Sequence, residues 1–112
     1  STTDAAGAFE TLHSSFSEFT LLAPKSQKAI AKQTAAFTKL GISIGESTAN
    51  YDILIKGMKV NEKSATKMQK NMAKLALSIG VAPKQMAKDF AAAAPILADS
   101  TLLVMLLTKP VN

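Results

Sequence analysis

Apolar side chains recur three and four residues apart along nearly the whole chain, and every run of them is cut short. Phe9, Leu12, Phe16, Phe19 and Ala23 form one stripe, stopped by Pro24. Ile30, Gln33, Phe37 and Leu40 form a second, ended by Gly41, and Ile44, Ser47, Tyr51, Leu54 and Met58 a third. Ala65, Met68, Met72, Leu75 and Ile79 form a fourth, ended by Gly80; Met86, Phe90, Ala93 and Leu97 form a fifth, with Pro95 near its end. At 3.6 residues per turn each set falls on one side of a helix. No stretch before residue 100 alternates as a strand does. The expected fold class is all-α: several short amphipathic helices, joined by tight Gly/Pro corners and packed with each other or with other subunits. The segment "TLLVMLLTKPV", Thr101 to Val111, fits a buried strand, a sixth helix or an edge that docks on another chain, and helix is the expected state.

Runs this short make marginal helices in isolation, so each needs a neighbour. The 3-4 spacing is that of a coiled-coil seam, but alanine, serine and glutamine stand at several positions where leucine or isoleucine would drive a zipper. A small helical bundle in a single segment, residues 1–112, follows. Within it we distinguish an acidic start (1–24), basic helical repeats (25–98) and an apolar end (99–112).

Three corners look alike. In "LGISIGES", "KVNEKSA" and "GVAPKQM", a β-branched residue (Ile42, Val60, Val81) precedes a candidate N-cap (Ser43, Asn61, Ala82). Ser43 with Glu46 spells a capping box. Asn61 is a strong cap, followed by Glu62 in the first turn. The third corner lacks a capping side chain but has Pro83 at the first helical position, where a missing N–H costs nothing. Val81 and Met86 have the spacing of a hydrophobic staple across that cap. Gly41, Ser43, Asn61, Gly80 and Pro83 are therefore the expected helix joints. The β-branched residues lie 18 and 21 positions apart, which suggests an array of like units rather than a strict solenoid.

Charge is unevenly distributed. The 13 basic residues are all lysine and outnumber 8 acidic ones, for a net charge of +5. Residues 1–24 carry Asp4, Glu10 and Glu18 and no lysine, whereas residues 25–88 hold 12 lysines against Glu46, Asp52 and Glu62. An acidic start and a basic middle can attract each other, within one chain or between copies. Without arginine the chain lacks the bidentate fork that favours guanine and phosphate. Basicity thus permits a polyanionic partner without specifying one. Lys63, Lys67, Lys70 and Lys74 share one helix face and could track a phosphate backbone. More often such a stripe is merely a solvated face opposite an apolar seam, and Met68, Met72 and Leu75 supply that seam here.

Enzymatic chemistry is not expected. With no cysteine, disulfides and thiolate metal sites are excluded. His13 is the single histidine, and its adjacency to Ser14 and Ser15 is not triad geometry. No Gly-rich phosphate loop occurs, since Gly41 and Gly45 are not followed by G-K-[ST]. No catalytic, metal-binding or cofactor-binding residue is assigned, and no cofactor or small-molecule substrate is expected. The longest strongly apolar stretch, Leu102 to Leu107, is far short of the roughly 20 residues of a membrane span. An opening serine with no basic, apolar leader leads to the expectation of a processed chain or a piece of a longer one.

The corner "SIGVAPKQMAKDF" also matches, weakly, a helix-turn-helix pattern through Ala76, Gly80 and Met86. Lys84, Gln85 and Lys88 would then be the base- or phosphate-reaching side chains. Against this, Asp89 stands where a core residue is wanted, and Ala91 to Ala94 offer a smooth surface for a neighbouring helix rather than for DNA. A small DNA-binding regulator and a free-standing helical adaptor remain the alternatives.

From Phe37 to Ala98 the chain resembles tape measure proteins of contractile-tailed bacteriophages. The similarity lies in the order of several features: a leucine-glycine-isoleucine-serine helix start, "DILIKGM", a lysine- and alanine-rich helix, "GVAPKQMAKDF" and "AAAAPILA". The resemblance implies a structural virion protein that occupies the tail lumen near the baseplate hub and helps to set tail length during assembly. It implies no specific nucleic-acid ligand. Its partners would be other copies of itself, three or six, with tail tube and baseplate hub proteins, and host cytoplasm would be the site of assembly. The residues expected to carry packing and self-association are Phe37, Leu40, Ile42, Leu54, Met58, Met68, Met72, Leu75, Ile79, Val81, Met86, Phe90 and Leu97.

Overall fold

The computed structural model describes the backbone of residues 2–16 and 18–108 and the side chains of residues 6–16 and 18–96. Five α-helices make an all-α fold with no strand among the described residues: α1 (Thr2–Ser15), α2 (Pro24–Thr38), α3 (Ile44–Asp52), α4 (Glu62–Ser78) and α5 (Pro83–Thr108). A single 3-10 turn, Phe19–Leu21, links α1 to α2, and a π-helical turn, Ile53–Gly57, extends α3.

The three corners share one backbone solution. In each, a residue at positive φ is followed by the β-branched residue, then by the N-cap. The first residue is Gly41 (φ 84), Lys59 (φ 60) or Gly80 (φ 77). The next N–H turns back onto the preceding helix: Ile42 donates to the Phe37 carbonyl (3.1 Å), Val60 to Leu54 (2.9 Å) and Val81 to Ala76 (2.8 Å). The Ile42 and Val81 bonds are the six-to-one closure that satisfies a helix's last carbonyls. Ser43 then forms the full capping box, its Oγ accepting from the Glu46 N–H while Glu46 accepts from the Ser43 N–H. Asn61 Oδ1 accepts from the Ser64 N–H at 2.8 Å, and Pro83 opens α5. Nothing crowds a Cβ at Gly41 or Gly80, so alanine there meets only the backbone penalty of the left-handed region. Gly41→Ala and Gly80→Ala are each expected to cost about 1 kcal/mol, while Lys59→Gly moves the other way by less than about 1 kcal/mol. Urea midpoints of the three variants test both signs.

Three expectations about helix limits are corrected. The first stripe does not run to Ala23. α1 ends at Ser15, where Ser14 Oγ donates to the Thr11 carbonyl and competes with helix propagation. Phe16 and Phe19 still turn fully inward, because the 3-10 turn brings them back over the core, whereas Ala23 is exposed. The third run is not one regular helix: beyond Asp52 it widens, and Met58 donates to Ile53 across five residues. The apolar end is not a separate sixth helix. α5 passes through Pro95, which withholds an N–H from the Ala91 carbonyl, and continues to Thr108. Residues 109–111 of that segment lie outside the described residues.

α3 is the hub, packing on all four other helices; α1 lies against α2 and α3, and α4 against α5, α2 and α3. The main core gathers Leu12, Phe16, Phe19, Ile30, Ala31, Tyr51, Leu54 and Ala65. A smaller cluster of Phe37, Ile42, Ala73 and Ala87 lies between α2, α4 and α5. The helices fold back on one another into a slab of 53 × 36 × 18 Å.

Candidate interaction surface on α4

The expected packing residues divide into two groups. Phe37, Ile42 and Leu54 are buried. Met58 and Phe90 pack half-buried on the main core, and Met72, Val81 and Met86 are half-buried. Leu40, Met68, Leu75 and Ile79 do not pack inside the chain: they are exposed, at 37%, 40%, 52% and 58%. The side chain of Leu97 lies outside the described residues.

The division on α4 has a definite cause. Its buried strip is Ala65, Gln69, Ala73 and Ala76, not the row of larger residues. α2, α3 and the corner between them already bring Phe37, Tyr51 and Ile42 to this contact, and three alanines let α4 approach closely. The helix is rotated from the expected orientation by less than one residue step of about 100°. Going round α4 one meets the buried strip, then Met68, Leu75 and Ile79, then Lys67 and Lys74. Lys63 and Lys70 are exposed beyond them. Leu77, also on α4, is 59% exposed.

On the other side of α4 a polar network ties three helices together. Tyr51 of α3 is fully buried; its hydroxyl donates to Thr66 Oγ1 of α4 at 2.9 Å and accepts from Gln33 Nε2 of α2 at 3.3 Å. Gln33 Nε2 also donates to the Thr66 carbonyl at 2.8 Å, and Thr66 Oγ1 to the Glu62 carbonyl at 2.8 Å. Burial pushes the Tyr51 phenol up to about 12 from its ordinary 10, against the N–H bond from Gln33, which favours the phenolate. Among the described residues, the hydroxyl's hydrogen-bond partners are Gln33 and Thr66 rather than a carboxylate or imidazole, so the arrangement is a clamp rather than an acid–base pair. The linkage follows directly. Below pH 10 the phenol is neutral in both folded and unfolded chains; between pH 10 and 12 only the unfolded chain ionises. Stability is therefore expected to fall across that window by up to about 3 kcal/mol. Urea titrations between pH 9 and 12 should show this decline in the wild type and lose it in Tyr51→Phe.

The other singled-out side chains are engaged elsewhere. His13 is exposed and packs at a tilt against Phe9 and edge-on against Phe19, with ring centroids 4.8 and 4.9 Å away. Among the described residues, no three His, Asp or Glu side chains are grouped to hold a metal ion. Of the residues weighed for DNA reading, Lys84 pairs with Glu46 at 3.3 Å and Gln85 donates to Asp89 at 2.8 Å. The Ser43 N–H bond holds the Glu46 carboxyl below the ordinary range, with help from the Ser43 hydroxyl and Lys84 and against a desolvation effect. That part of the corner's stability is present above the unfolded pKa and lost as pH falls through the folded one. Asp89 is exposed, and Ala94 is buried where α5 passes the π turn.

No family model, no characterised protein and no solved structure matches the chain. Sequence reasoning placed Gln33, Ser47 and Tyr51 on inward stripes but missed Asn50 and Gln69, both buried. Their signal is faint: each lies beside, not on, an apolar stripe.

Proposed function

We propose that this chain is a non-enzymatic structural component of a phage tail, a tape-measure-like helical module that works by associating with copies of itself. The observation that carries the reading is the exposed row of Met68 and Leu75 on α4 and Ile79 at its C-cap, flanked by lysines. Such a row costs solubility in an isolated domain and is stabilised when a second surface covers it. In the tail lumen near the baseplate hub, three or six copies would cover these faces against each other and against tube and hub proteins. A narrow row of moderate size also suits an assembly that must vacate the lumen before DNA passes. Sedimentation velocity over a wide concentration range tests this: trimers or hexamers are expected, and a monomer at every concentration would overturn it. The DNA-reading alternative has no comparable support, because Lys84 and Gln85 are held by intramolecular partners.

A further inference from the structure

A small cavity lies where α3, α4 and α5 meet, walled by Phe37, Ile42, Met72 and Ala87 and by two amides, Asn50 and Gln69. Both amides are almost wholly buried, at 1% and 3% exposure. Asn50 Nδ2 donates to the Ala87 carbonyl at 3.2 Å, which fixes the orientation of that amide and leaves its oxygen on the other side. Among the described residues, Asn50 Oδ1 and Gln69 Nε2 have no hydrogen-bond partner. One is an acceptor and the other a donor, and both belong to residues lining the same space.

We propose that this cavity is a binding site for one internal water molecule, which donates to Asn50 Oδ1 and accepts from Gln69 Nε2. The volume, about 10 Å³, is at the lower bound of roughly 10–15 Å³ that holds a single water and is too small for a larger ligand. Polarity excludes ions: a cation would face the Gln69 N–H, and an anion the Asn50 oxygen. Water alone satisfies both at once, and buried polar groups left dry are costly enough to be rare. The remaining walls are apolar, so nothing competes for it. Thr34 Oγ1 and Ser47 Oγ are also buried without a partner, but neither residue lines this cavity. The water completes a polar joint: α3 reaches α5 directly through Asn50 and Ala87, and reaches α4 through the bound molecule. Asn50 and Ala87 also line the open groove between α3 and α5, which gives the water its exchange route.

Water oxygen-17 magnetic relaxation dispersion on the whole chain counts long-lived internal waters. The wild type is expected to show such a water, Gln69→Met (similar in volume, with no donor) to lose it, and Thr34→Val to keep it. No long-lived water in the wild type, or one undiminished in a Gln69→Met variant with unchanged circular dichroism, overturns the proposal. Should Gln69→Met fail to fold, crystals of the wild type decide. Density within hydrogen-bond distance of both amides supports the site, and a direct Asn50–Gln69 bond overturns it.

Discussion

Phe19→Ala is expected to lower the stability of the fold by about 3–5 kcal/mol, as removal of a buried aromatic ring generally does. Phe19 is fully buried in the 3-10 turn and meets Phe9 edge-on, with centroids 5.2 Å apart, and Phe16 at 6.2 Å. Its carbonyl also accepts from Gln27 Nε2 at 2.8 Å, so the turn and the start of α2 rest on the same residue. Collapse cannot refill the site, because the turn that carries Phe19 is fixed by backbone bonds from Phe19 to Phe16 and from Leu22 to Phe19. A domain of this size has about 5–15 kcal/mol in total, so the variant would be partly unfolded at ambient temperature. Chemical denaturation monitored by circular dichroism measures it. A loss under about 1 kcal/mol would mean that α1 and the turn contribute little to the cooperative unit.

Leu75→Glu combined with Ile79→Glu is expected to weaken self-association at least about a hundredfold while leaving the monomer folded. Both side chains are more than half exposed, so their removal leaves no cavity in the chain. In an interface each loses the apolar area still open to water, and each new carboxylate must be desolvated against its neighbours. Leu21→Glu is the control. Leu21 is 78% exposed on the turn between α1 and α2, outside α4, and its replacement should leave association unchanged if the α4 face carries it. Equal losses in the two variants, read by sedimentation equilibrium, would move the interface off α4.

The legible parts of the fold are those governed by a few neighbouring residues. The β-branched residue and cap that mark each corner could be read directly, because a capping box or a proline at the first helical position acts within one turn. Lys59 was not legible as a left-handed residue. Its backbone angle is imposed by the Val60-to-Leu54 bond and the π turn before it, not by any preference of lysine. On α4 the pattern alone did not tell which residues turn inward within the chain. The larger apolar residues mark the greater burial only when neighbouring helices leave room for them, and here Phe37, Ile42 and Tyr51 occupy that room.

The sequence by itself determined an all-α chain, the position of its corners, the caps that start α3 and α4, and the separation of acidic from basic segments. These follow from spacing, backbone preference and charge, which are local. Tertiary structure alone decided which strip of α4 turns inward, that α5 continues through Pro95, and that Tyr51, Gln33 and Thr66 meet. It also decided that Met68, Leu75 and Ile79 are left outside. Those outcomes depend on how the volumes of four helices fit around α3, a many-body packing condition that no single stretch of the chain contains.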